Sequence, residues 1–232
     1  MRTKTLLLAA GALAAGIASS QAQNVYSQNI VGYVQVISPG TPGWVCAANP
    51  LDLDGVDNIT NVLGPTNFPK GGQVELFTAS GFSIDVKRST IGAGAWTANA
   101  ATTFIPPGVG FMIQTPSPWT NTFVGNVIPA PIGTNTMALT GSLYQLIGSP
   151  YPVSGTLTNG ADQGPGVLNL GSSLPKGTIV ETWVPGTGFV QAAKRSTIGA
   201  GLWTGNPTFT PGEGFFVNPG AGTNWQQIDT AP

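Results

Sequence analysis

Lys87 to Thr97 reads KRSTIGAGAWT and Lys194 to Thr204 reads KRSTIGAGLWT, identical at ten of eleven positions. Each copy follows a Pro-Lys-Gly (Pro69 to Gly71, Pro175 to Gly177) and precedes a Pro-Gly-x-Gly-Phe (Pro107 to Phe111, Pro211 to Phe215). A pattern that recurs with its flanking landmarks marks a tandem duplication, here of a unit of about a hundred residues. The rest of the chain aligns around it: Asn49-Pro50 with Ser149-Pro150, Cys46 with Leu146, Phe77 with Trp183, Phe82 with Phe189, Trp96 with Trp203. Apolar positions stay apolar, as a shared core requires.

The 33 glycines and 20 prolines punctuate short runs rich in Val, Ile, Thr, Phe and Trp. That is the signature of short strands joined by turns. Strands are expected near Asn29 to Ile37, Trp44 to Ala48, Gln73 to Ala79, Phe82 to Lys87, Val109 to Gln114 and Thr122 to Val127. They are expected again near Thr136 to Leu139, Leu143 to Gly148, Thr178 to Val184, Phe189 to Ala193, Gly214 to Val217 and Trp225 to Ile228. Helical turns are expected only at Asn58 to Leu63 and Val167 to Leu170. The predicted fold is all-β: two tandem homologous β-sandwich or barrel-like units of six to seven short strands.

Arg2, Lys4 and the apolar run Leu6 to Ile17 follow the secretory pattern, with cleavage expected after Ala22. The predicted division is a signal peptide over 1–22, a first unit over 23–129, a Pro-rich linker over 130–134 and a second unit over 135–232. No transmembrane segment is expected in the mature chain. Cys46 is the sole cysteine, so packing rather than an intrachain disulfide must stabilise an exported product. Beyond Ala22 the chain carries six Lys or Arg against nine Asp or Glu. So sparse a charge argues against nucleic acid, which demands clustered cations.

The chain has no histidine, which removes His-based nucleophilic triads, His-ligated zinc and His proton shuttles. Glu75 and Glu181 occupy equivalent positions, and a glycosidase pair would require the two to meet across the repeat. Hard oxygen ligands cluster once, at Asp52, Asp54 and Asp57 in DLDGVDN, which makes calcium the candidate cofactor. A solvated Asx-rich turn is the competing interpretation.

Lys87-Arg88 and Lys194-Arg195 beside a tryptophan are candidate ligand contacts, although a hairpin with a left-handed turn explains GAGxW equally directly. Trp44, Trp119 and Trp225, near expected turns and strand ends, are candidate sugar-stacking faces against the alternative that they fill the core.

The sequence from Asn29 to Tyr33, then Gly94 to Trp96, Pro107 to Ile113, Gly201 to Trp203 and Pro211 to Val217, resembles a family of exported β-rich repeat proteins of planctomycete and verrucomicrobial bacteria. The resemblance implies secretion and a β fold. It implies no activity.

The expectation is therefore a non-enzymatic secreted or cell-surface protein that is structural or interacting in role. It would self-assemble by adding the strand Asn29 to Ile37 to another subunit, giving itself as partner in an oligomer or fibre. The alternatives are a carbohydrate-binding module for cell-surface polysaccharide and, more remotely, a glycoside hydrolase or lyase.

Overall fold

The computed structural model describes residues 31–41, 43–64, 67–90, 94–97, 99–128, 133–158 and 168–229. The expected signal peptide, linker residues 130–132 and most of the insertion that follows Gly155 lie outside them. The fold is all-β, and none of its sheets closes into a barrel.

β1 (Val31–Ser38) pairs antiparallel with β6 (Trp119–Asn126) as a two-stranded ribbon, Tyr33 opposite Val124 and Gln35 opposite Thr122. Beside it stands a four-stranded sheet in the order β2 (Val45–Ala48), β5 (Gly110–Gln114), β3 (Gln73–Thr78), β4 (Gly81–Val86). A short α1 (Ile59–Val62), capped by the Asn58 side chain, closes the gap between β2 and β3.

The later residues follow the same plan. β7 (Gly133–Leu139) pairs with β14 (Thr223–Asp229), and β8 (Gln145–Gly148), β13 (Gly214–Asn218), β10 (Ile179–Val184) and β11 (Gly188–Ala193) form a sheet in that order. α2 (Leu170–Ser173) begins three residues after the helical turn expected there. β9 (Gly155–Thr156) and β12 (Thr208–Phe209) make a two-residue pairing that no periodicity announced.

Period-two alternation explains the layering. Phe111 and Ile113 face the ribbon with Ala47, Val74, Val34, Val36 and Phe123, while Met112 between them faces the opposite way. In the second half Phe215 and Val217 face Leu139 and Trp225, and Phe216 turns away. Central strands buried on both faces read as unbroken apolar runs, which is why FMI and FFV carry no polar residue. The outward-turned residues of the two sheets meet one another. Cys46, Met112, Leu146 and Phe216 form a third cluster, edged by Trp44, Phe77, Tyr144 and Trp183.

Phe216 is its hub, with the Phe77, Phe189 and Tyr144 rings edge-on to it at 5.1, 5.3 and 6.3 Å. Each such contact adds roughly 0.5–1.5 kcal/mol beyond the area it buries.

Candidate functional site

The Pro-Gly-x-Gly-Phe turns join the halves by an exchange. The Ala48 N–H donates to the Gly212 carbonyl at 2.8 Å, and its counterpart, the Gly148 N–H, donates to the Gly108 carbonyl at 3.0 Å. The bridges Ala47–Glu213 and Val109–Ile147 repeat the reciprocity. Both glycines of each turn are needed. Gly108 and Gly212 have φ of +88° and +80°, and a Cβ on Gly110 would lie 2.8 Å from the Ile147 nitrogen of the other half.

The two ends of KRSTIGAGxWT pair antiparallel in both copies. Lys87 bridges Trp96, Lys194 bridges Trp203, and the hydroxyls of Thr97 and Thr204 accept the N–H of Val86 and Ala193 at 2.7 and 2.9 Å. Its lysines are inward braces. Lys87 is 3 % exposed and its Nζ donates to the Phe68 carbonyl at 2.8 Å. Lys194 Nζ donates to the carbonyls of Gly171 and Leu174 at 2.8 and 2.6 Å and lies 5.8 Å from the Trp203 ring centroid. Burial, with Lys70 and Lys176 nearby, holds both ammonium groups below the usual lysine range. Of the two lysines expected at a ligand, the structure places both ammonium groups on backbone carbonyls of the preceding loops. Arg88 and Arg195 are exposed.

The tryptophans also serve packing. Trp225 is 1 % exposed, with its Nε1 donating to the Leu168 carbonyl at 2.8 Å, so it offers no face to a sugar. Trp119 is half-buried, edge-on to Phe68 with ring centroids 5.0 Å apart. Trp44 is half-buried in the cluster between the sheets, where its carbonyl accepts from Trp183 Nε1.

The acidic loop is bound into the fold. Asp57 is buried and accepts from the Leu53 N–H at 3.0 Å and from Asn49 Nδ2 at 3.3 Å; burial foremost, together with the neighbouring Asp52 carboxyl, pushes it up to about 6. Asp52 accepts from the Gly55 N–H and Asp54 from Asn126 Nδ2. Among the described residues no three acidic or thiol groups converge as a metal site.

Glu75 and Glu181 both lie on strands, β3 and β10. Glu181 accepts from the Tyr144 hydroxyl at 3.1 Å and from Gln191 Nε2 at 3.3 Å, while burial raises the Glu75 carboxyl.

Two further regions stand out. The first is the outward face of the β1–β6 ribbon. Val34, Val36 and Ser38 point inward, so Val31, Tyr33 and Ile37 point out at 51, 72 and 66 % exposure, with Val124 at 42 %. The equivalent face of the second ribbon presents Thr136, Ala138, Asn224 and Gln226, all exposed. Of the two ribbons, one carries large apolar side chains on its outer face and the other only small or polar ones.

Among the described residues, no backbone group of β1 bonds outside its ladder with β6, so its other edge is unpaired. Beneath that edge runs a cleft of about 390 Å³ reaching Trp183 and Glu213 of the second half. Burial raises the Glu213 carboxyl, although it accepts from the Thr210 N–H and hydroxyl at 2.9 and 3.0 Å.

The second region is a pocket between β6 and the α1 loop, lined by asparagines and threonines. No protein-family model, curated protein or solved structure matches the chain.

Proposed function

We propose that the chain is an exported, non-enzymatic interaction protein that associates with further copies of itself through the open side of the β1–β6 ribbon. The observation that carries this is the contrast between the ribbons. A fold that keeps one outer face polar has no packing reason to leave Val31, Tyr33, Ile37 and Val124 in water on the other, and exposed apolar patches commonly mark interaction surfaces. The edge of β1 that no described residue pairs adds backbone donors and acceptors to the same surface.

The mode differs from strand donation. β1 already pairs with β6 over eight residues and places Val34 and Val36 in the core, so it is a surface and not a free arm. Deleting 23–38 would therefore unfold the first half rather than merely free it from its partners. The absence of histidine and the commitment of Lys87 and Lys194 to backbone carbonyls favour binding over catalysis.

The test is sedimentation velocity on the mature chain over a concentration series, beside the double variant Tyr33→Lys, Ile37→Lys. Both positions are exposed, so the variant should fold with an unchanged melting temperature and sediment as a monomer where the parent self-associates. A parent that stays monomeric throughout, or a variant that associates like it, overturns the proposal.

A further inference from the structure

We infer that the pocket between β6 and the α1 loop binds a single neutral, hydroxyl-rich sugar unit. This inference is independent of the ribbon surface. Alternation along β6 puts Trp119, Asn121 and Phe123 on the inward side, so Asn121 occupies a position that packing alone would fill with an apolar residue. It is 6 % exposed. Its Nδ2 makes one long bond, 3.4 Å to the Val62 carbonyl, and its Oδ1 accepts none among the described residues. The Asn121 amide lines the pocket and keeps hydrogen-bonding capacity that no described residue uses, and a polar group so placed calls for a partner.

The surrounding chemistry selects the ligand class. Asn61, Asn67, Thr120 and Thr122 also line the pocket, and the lining contains no Lys, Arg, Asp or Glu. Carboxamides and hydroxyls both donate and accept, as do sugar hydroxyls, whereas an ionic ligand would find no counter-charge. Leu53 and Val124 supply apolar wall for the C–H face of a ring. The volume, about 260 Å³, lies just under the roughly 300–1,000 Å³ of pockets for drug-sized ligands, which suits one ring and not a chain.

The second half has no such capacity at the matching place. There Trp225, opposite Met137 as Asn121 is opposite Val36, is 1 % exposed and donates its Nε1 to the Leu168 carbonyl at 2.8 Å. One site per chain follows.

The experiment is saturation-transfer NMR on the intact mature chain, followed by titration. The probes are the methyl glycosides of glucose, galactose, mannose and xylose, with N-acetylglucosamine, and glucuronate and glucosamine as charged controls. At least one neutral probe should bind, one per chain and in preference to both charged controls. Asn121→Leu should weaken that binding at least about tenfold, equivalent to 1.4 kcal/mol, without lowering the melting temperature, because it removes an incompletely paired amide. Should that variant fail to fold, Thr120→Val and Thr122→Val change exposed lining residues and must each weaken binding. Failure of every neutral probe, tighter binding of a charged control, or parent-like binding by the variants overturns the inference.

Discussion

Trp183 of the second half donates its indole N–H to the backbone carbonyl of Trp44 in the first, at 2.7 Å, across 139 positions of sequence. Nothing in the spacing of the repeat demands this contact. It belongs to the junction where the outer faces of the two four-stranded sheets meet. With the reciprocal Ala48–Gly212 and Gly148–Gly108 hydrogen bonds, it ties the two four-stranded sheets together.

The two halves are therefore expected to unfold in a single cooperative transition. Trp183→Phe keeps an aromatic ring but loses the bond and part of the indole's bulk, a cost of about 1–3 kcal/mol. Gly214→Ala is more severe, because its Cβ would collide with the Ala47 backbone of the other half. Urea unfolding followed by far-UV circular dichroism should show one transition for the parent and Trp183→Phe, and two for Gly214→Ala. Gly186→Ala, with φ of +80° and no atom within 4 Å of its Cβ, is the control; it should cost about 1–2 kcal/mol of backbone strain and keep one transition.

The repeated cations separate in the same way. Lys87→Ala leaves the Phe68 carbonyl without its ammonium donor and should destabilise by roughly 1–3 kcal/mol, with Lys87→Met recovering only the packing share. Arg88→Ala, at an exposed position one residue away, should stay within about 0.5 kcal/mol of the parent. Equal losses at the two positions in denaturant titrations would contradict the assignment of Lys87 as a brace.

Asp57 gives a pH dependence of unusual sign. Folded, it holds its proton up to about pH 6, whereas an unfolded aspartate releases it near roughly 3.9. Between these values the folded chain binds more protons, so stability falls as pH rises through the window. Glu75, Asp85 and Glu213 are raised as well, burial being the main cause, and act in the same direction. Unfolding free energy should be higher near pH 4 than near pH 7. Asp57→Asn should flatten part of that slope; an unchanged slope in the variant would show that the buried carboxyl does not carry it.

The all-β class and most strands were legible because the chain alternates or runs apolar between glycines and prolines. β3, β5 and β13 fall within a residue or so of their expected bounds. β6 begins at Trp119, three residues early, because Pro118 and not a glycine marks its start. The first strand of the second half, expected from Thr136, starts at Gly133, since it shares alternation but not residues with Val31–Ser38.

Site residues were harder to read, since residue type says nothing of direction. Lys87 looked available for a ligand, yet its ammonium points inward, and Trp225 looked terminal yet fills a core. Asn121 carried a usable signal: an amide in the inward phase of Trp119, Asn121, Phe123. The strand Asn29 to Ile37 was legible as an assembly element, but which of its residues face outward needed the ribbon's register.

Self-association through the outward face of β1 is tested most directly by single-cysteine cross-linking. Val31→Cys, Tyr33→Cys, Gln35→Cys and Ile37→Cys place a thiol along that face in turn, with Ser83→Cys on the exposed part of β4 as control. Cys46 stays silent, being buried with its thiol raised far above the reactive range. A two-fold association brings one of these positions close to its own copy, so one β1 variant should form a disulfide-linked dimer in high yield under mild oxidation. Yields no higher than that of Ser83→Cys at all four positions would contradict the account.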